Sequence, residues 1–172
     1  MNDWSKFIIE PLSPAHDRSG FKCGIDSLDN YIKRQANQDI KRQISRVYVA
    51  VNIEKPNKIM GYYTLSSLSI ELNQLPEELL KKLPKHPIPA ALIGRLAVDK
   101  SVHGNGIGKM LLADALKRIL VISDEIAIYA VVVDAINDKA KGFYKQYGFQ
   151  SLGEETPRLF LPLKTITFSA ND

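Results

Sequence analysis

Three glycines spaced two apart, Gly104, Gly106 and Gly108, separate an apolar, β-leaning run from Ala90 to Val98 from a second apolar run, Ile107 to Ile122. Strand, glycine-rich turn, helix is how a backbone builds an anion cradle. Glycine lets the chain turn and lets amides approach a ligand with no Cβ in the way. The first four N–H groups of a helix lack internal partners and carry the positive end of its dipole, so a phosphate is stabilised there. Two familiar phosphate loops fail on spacing. Counting G-x-G-x-x-G from Gly104 or Gly106 puts Lys109 or Leu111 where the third glycine belongs, and Gly108-Lys109 is followed by Met110 where a Walker loop needs Ser or Thr. A glycine-rich surface turn before an ordinary helix would show the same triplet, so the triplet does not decide by itself.

Composition bounds the possibilities. The 172 residues suffice for one domain, 1–172, with a real core, and 45% hydrophobic with 24% charged residues describes a soluble globular chain. Cys23 is the single cysteine, which excludes an internal disulfide and suits a reducing cytoplasm; His16, His86 and His103 show no metal-ligand spacing, so no metal is expected. The polar N-terminus and the short apolar runs predict neither a signal peptide nor a membrane span. A net charge of +4 favours an anionic partner without choosing between a nucleotide cofactor and RNA.

The elements that must position the glycine loop are set by pattern. Lys6 to Leu12 reads as a first strand. A turn at Phe21-Lys22-Cys23-Gly24 leads to a helix from Leu28 to Gln43, capped by Asp26 or Ser27, with Leu28, Tyr31, Ile32, Ala36 and Ile40 on its apolar side. Arg34, Gln38, Lys41 and Arg42 fall on another face, as a solvated basic group or as phosphate contacts. Strands are predicted over Arg46 to Val51 and Ile59 to Ile70, joined by a turn at Lys55-Pro56-Asn57. A short helix starts at Pro76, and Pro84, Pro87 and Pro89 force an extended approach to the central strand. Ile126 to Val133 reads as a strand covered on both faces, parallel to the central one; Asn137 to Gln146 reads as a helix. Arg158 to Phe168 is a last strand that Pro162 places at an edge or a bulge. The fold class is α/β, a mixed sheet flanked by helices.

His103-Gly104-Asn105-Gly106-Ile107-Gly108 resembles the pyrophosphate loop [QR]-x-x-G-x-[GA] of the GNAT acetyltransferases, with His103 replacing the usual Gln or Arg. Asn137 to Phe149 resembles the second hallmark of that family, N-x-x-A-x-x-F-Y-x-x-x-G-F, through Asn137, Ala140, Phe143, Tyr144, Gly148 and Phe149. Two signatures in the right order outweigh the reading in which those aromatics merely pack a helix. The chain is similar in particular to the acetyltransferase toxins of bacterial toxin–antitoxin pairs. The residues concerned are Phe21-x-Cys23-Gly24-x-x-x-Leu28-Asp29-x-Tyr31-Ile32, Gly61 to Ser66, Leu83-Pro84 with Pro87-Ile88-Pro89, and Gly94 to Asp99.

The resemblance implies an acyl-CoA N-acyltransferase fold, acetyl-CoA as cosubstrate, and acetylation of the α-amine on charged tRNA, which stops translation. It also implies a ribbon-helix-helix antitoxin as partner, DNA contacted only through that complex, and a homodimer. The pantetheine arm would pair with Leu96, Ala97 and Val98. The pyrophosphate would lie on the loop His103, Gly104, Asn105, Gly106, Ile107, Gly108 and Lys109, and Asn137 would contact the cofactor from the opposite side. Tyr144 would give the leaving thiolate its proton. Ala90 to Val98 holds no carboxylate to serve as a base. An α-amine titrates near ~8 and a lysine near ~10.4, so a site without a strong base favours the α-amine. Glu54, Glu71 and Asp134 stay open as bases reached through folding or water. Arg34, Lys41, Arg42, Arg46 and Arg95 are the candidate tRNA contacts. A GNAT enzyme for a small amine or a protein N-terminus, its basic residues simply solvated, is the alternative; a CoA-binding module without catalysis is a third reading.

Overall fold

The computed structural model describes residues 4–153 and 156–166. Its strands form a seven-stranded sheet in the order β1-β2-β3-β4-β5-β7-β6. They are β1 (Phe7–Pro11), β2 (Arg46–Asn52), β3 (Lys55–Ile70), β4 (Ile88–Val98), β5 (Ala130–Asp134), β6 (Gln150–Ser151) and β7 (Arg158–Pro162). The helices are α1 (Asp26–Asn30), α2 (Ala36–Lys41), α3 (Glu77–Leu80), α4 (Ile107–Ile122) and α5 (Asp138–Lys145). The chain divides into two compact units, Met1–Ser66 with Gly94–Arg118, and Ser67–Ile93 with Ile119–Asp172; β3, β4 and α4 contribute residues to both.

In the first unit β1 and β3 flank β2, both antiparallel to it. Alternation then sorts the side chains of β2 to two faces. Val47, Val49 and Val51, with Tyr62 opposite Val49, bury against Phe21, Leu28, Tyr31, Ile32 and Ala36. On the other face Tyr48 stacks on Tyr63, ring centroids 5.2 Å apart, under Arg118 of α4. Gly61 is fixed by packing. A Cβ there would sit 2.9 Å from the Ala97 carbonyl of β4 and 2.9 Å from Leu111 Cδ1 of α4, closer than side chains approach.

The second unit pairs β4 with β5 in parallel through Ala90↔Ala130 to Ile93↔Val133, and β5 with β7 antiparallel. Ala130 to Val133 are all buried, as a strand covered on both faces requires. Ile70, Ile88, Ala90, Val132, Leu152 and Phe160 form its core, with Leu79 and Leu80 of α3 packed against them.

Five expectations are corrected. The helix after the Phe21–Gly24 turn is not continuous: a π-turn, Tyr31–Gln35, separates α1 from α2. No side chain caps α1, whose N-cap is Ile25; Asp29 Oδ1 instead accepts the Cys23 amide at 2.8 Å. The β2–β3 turn is Ile53-Glu54, closed by the Glu54 amide donating to Asn52 Oδ1 at 2.8 Å, and Lys55-Pro56-Asn57 belongs to β3. Pro56 is tolerated because the register jumps from Asn52↔Lys55 to Val51↔Ile59, so it owes β2 no ladder bond. β5 begins at Ala130, not Ile126, because the Ile126 amide still bonds the Ile122 carbonyl at the end of α4. β7 lies inside the sheet between β5 and β6, not at an edge, and ends at Pro162. Pro162 fits because β6 is two residues long and pairs only with Leu159 and Phe160. Of the predicted last strand, Thr167 and Phe168 lie outside the described residues. No helix among the described residues is long and apolar enough to cross a membrane.

Candidate active site

β4 delivers Leu96, Ala97 and Val98 to its C-terminal end, with Ala97 buried and its two neighbours half-buried. Its pairing with β5 stops at Ile93, five residues before the strand ends at Val98. Asp99 terminates β4 and ties down the start of the loop. Its buried carboxylate accepts the Ser101 hydroxyl at 2.7 Å and amide at 3.0 Å, and the Lys22 amide at 3.1 Å. Burial opposes its charge, yet the Ser101 hydroxyl and the two amides hold its pKa below the usual carboxylate value. His103 Nε2 donates to the Val98 carbonyl at 2.7 Å, folding the loop back on the strand.

The cradle itself needs glycine. Gly104 and Gly106 have φ of +82° and +77°, a region that side chains strain to occupy. A Cβ on Gly104 would meet nothing within 4 Å, so the space over this backbone is open to a ligand. The first α-helical bond of α4 runs from the Met110 amide to the Gly106 carbonyl at 3.1 Å. The amides of Gly106, Ile107, Gly108 and Lys109 are therefore those a helix leaves without internal partners. Lys109 Nζ stands 6.0 Å from the Trp4 ring.

The second unit holds Asn137 and Tyr144. Asn137 Oδ1 caps α5 by accepting the Ala140 amide at 2.8 Å. Tyr144 is 3% exposed, edge-on to Phe143 and Phe149 at 5.2 Å and 5.6 Å. Among the described residues its hydroxyl has no hydrogen-bond partner. Burial first, and the Asp134 carboxylate second, push its pKa well above the ordinary phenol value. It therefore keeps its proton across the neutral range and can donate but not act as a base. Asp134 is itself paired with Arg158 Nε at 2.9 Å; Glu54 and Glu71 are exposed, in the β2–β3 turn and after β3.

Arg34, Lys41, Arg42 and Arg46 are exposed. Arg34 lies in the π-turn and Lys41 ends α2, so the unbroken helical register that put them on one face does not hold. Arg95 stands apart: it is half-buried, with its guanidinium 3.6 Å over the Tyr31 ring. Residue types alone did not reveal Asp99 as a brace or Tyr31 as a platform. The only sequence signal was that both sit in the toxin-like stretches.

A model of the acetyltransferase (GNAT) domain matches residues 82–163, which include β4, the glycine loop and the stretch around Tyr144. The chain belongs to the GNAT acetyltransferases, enzymes that take an acetyl group from acetyl-CoA. Within that class it falls in the branch of acetylating toxins. It is 40% identical over 171 residues to a probable toxin, TacT, of Sinorhizobium fredii, covering 94% of each chain. The structure of AtaT complexed with acetyl-methionyl-tRNAfMet is similar at a TM-score of 0.85 and 32% identity, covering 92% of this chain and 96% of that one. A tyrosine-to-phenylalanine variant of the AtaT toxin, bound to the C-terminus of the antitoxin AtaR and acetyl-CoA, is similar at a TM-score of 0.79 and 29% identity, covering 94% and 96%. Acetyl-CoA fits the residues present: an open, glycine-conformed loop at a helix N-terminus suits its pyrophosphate. Among the described residues no group of three or more His, Cys, Asp or Glu is placed to hold a metal ion.

Proposed function

We propose that this chain is the toxin of a toxin–antitoxin pair and that it acetylates the α-amino group of aminoacyl-tRNA, inhibiting translation. The observation that carries this reading is the near full-length likeness to a toxin solved with an acetylated aminoacyl-tRNA. Acetyl-CoA supplies an acyl carbon activated as a thioester. The chain's own residues bind, orient and manage one proton. Leu96 to Val98 offer strand backbone to the pantetheine arm, the loop from His103 to Lys109 holds the pyrophosphate, and the side-chain nitrogen of Asn137 remains a donor toward the cofactor. The amine nitrogen bonds the acyl carbon, the carbon–sulfur bond breaks, the sulfur takes a proton from the Tyr144 hydroxyl, the amine's proton passes to water, and Tyr144 takes a proton back from water. Holding both reactants in one site supplies much of the rate.

No carboxylate stands on β4, which suits an amine that is substantially neutral near pH ~8. Arg34, Lys41, Arg42, Arg46 and Arg95 serve the phosphates of the acceptor. The partner is a small ribbon-helix-helix antitoxin, DNA is reached only through that complex, and the chain works as a cytoplasmic homodimer of single GNAT domains spanning 1–172. Incubating the purified chain with acetyl-CoA and bulk charged tRNA, then identifying the aminoacyl adducts by mass, tests the reading. N-acetylated aminoacyl adducts are expected. Acetylation of free amines or protein N-termini with charged tRNA untouched would overturn it.

A further inference from the structure

Three of the toxin-like stretches meet around one buried side chain, Tyr31. Its ring is stacked on Tyr62 at 6.2 Å and 19°, and Tyr62 is in turn fixed by donating to the Leu28 carbonyl at 2.6 Å. The Tyr31 hydroxyl donates to Asp39 Oδ2 at 2.9 Å. That bond depends on the π-turn. Two α-helical turns span about 7.2 residues, so positions eight apart drift off a common face. The residue inserted at Tyr31–Gln35 brings Tyr31 and Asp39 back into line. Burial, then the Asp39 hydrogen bond, push the Tyr31 pKa up to about 12 against the pull of Arg95, so the ring stays neutral.

Tyr31 also carries the Arg95 guanidinium over its ring, 3.6 Å from the ring centroid. Among the described residues Arg95 makes no ion pair or hydrogen bond to a protein acceptor. None of its nitrogens is sealed from solvent without a partner. A guanidinium held flat on a neutral ring keeps its in-plane N–H edge for a planar, two-point acceptor. Lysine could neither lie flat nor fork.

We propose that Tyr31, locked by Asp39 and Tyr62, is a positioning residue that holds Arg95 flat so that its free edge grips a backbone phosphate of the charged tRNA. This rests on the substrate reading above and names the recognition element within it. The test is steady-state acetylation of charged tRNA by the full chain at several salt concentrations, with KM for acetyl-CoA and thermal unfolding measured alongside. Tyr31→Leu and Arg95→Lys should each raise KM for charged tRNA about tenfold, while Arg95→Ala, which removes the charge, should also reduce the salt slope by about one contact. KM for acetyl-CoA should stay within about twofold, because the cofactor is assigned to strand backbone and loop amides and not to these two side chains. The double variant should be no worse than either single one, because both remove the same grip. Tyr31→Phe, which keeps the ring face but gives up the Asp39 bond, should fall between wild type and Tyr31→Leu. Losses that multiply in the double variant would overturn the inference. So would a wild-type KM for charged tRNA in an Arg95→Lys variant whose thermal unfolding matches wild type, an outcome that holds even where Tyr31→Leu fails to fold. A wild-type chain that leaves charged tRNA unmodified would overturn the substrate reading and this inference with it.

Discussion

At the scale of single residues, the roles proposed for Gly106 and Tyr144 separate binding from chemistry. Gly106 has φ +77°, and a side chain forced there costs about 1–2 kcal/mol before it meets any ligand. Gly106→Val should therefore weaken CoA binding by about tenfold or more in calorimetry while the surface loop leaves the fold standing; unchanged affinity would remove the loop from the cofactor site. Tyr144→Phe keeps the buried ring and removes the hydroxyl. Turnover should fall on the order of 10²-fold, the usual reach of a general acid, with CoA affinity within a few-fold. Full turnover in the purified variant would end the assignment of Tyr144 as donor. Both residues could be picked out in the sequence because each stands in a spaced signature. Tyr31 could not be weighed in the same way. Its partner Arg95 lies 64 positions away, and pattern does not report which strand passes over which ring.

At the scale of elements, legibility depended on how local the cause was. α4 begins at Ile107 and ends at Ile122 as its apolar run predicted, since periodicity and a glycine start are local signals. The π-turn was hidden, because it is selected by the Tyr31–Asp39 and Tyr62 contacts and not by any propensity in Tyr31–Gln35. The β2–β3 turn was misplaced because Pro56 and Asn57 carry turn chemistry, yet they extend β3 beside Asp17. Two changes probe the elements that hold the loop. Gly61→Ala pushes a methyl to 2.9 Å from β4 and α4 at once and should cost about 1–3 kcal/mol in denaturant unfolding. An unchanged midpoint would mean β3, β4 and α4 are not in register around it. Asp99→Ala removes a charged acceptor from Lys22 and Ser101 and should cost on the order of 2–3 kcal/mol. Because the Asp99 pKa is lowered in the folded chain, its stabilisation is present at neutral pH. It is lost as pH falls through that depressed pKa. The variant's deficit should therefore shrink toward acid, and a deficit that stays constant with pH would contradict the brace.

At the scale of the whole molecule, a net charge of +4 and a basic set facing solvent distinguish a large anionic substrate from a small amine only by their effect on rate. Arg42→Ala and Arg46→Ala should each lower charged-tRNA affinity modestly and flatten the salt dependence by about one contact, leaving CoA binding alone. Identical slopes would reduce them to a solvated surface. The class of the chain was legible from two spaced signatures. The sequence did not by itself establish the substrate, because one cofactor loop serves any acetyl acceptor and the candidate acceptor contacts are scattered over the π-turn, the end of α2, β2 and β4. The most direct measurement is therefore a comparison of kcat/KM on charged tRNA with kcat/KM on the matching free amino-acid ester, at one acetyl-CoA concentration. Both present the same α-amine and differ in the nucleic acid. A preference for charged tRNA of at least ~10²-fold that collapses as salt is raised is expected. Equal efficiency on the two, insensitive to salt, would contradict it.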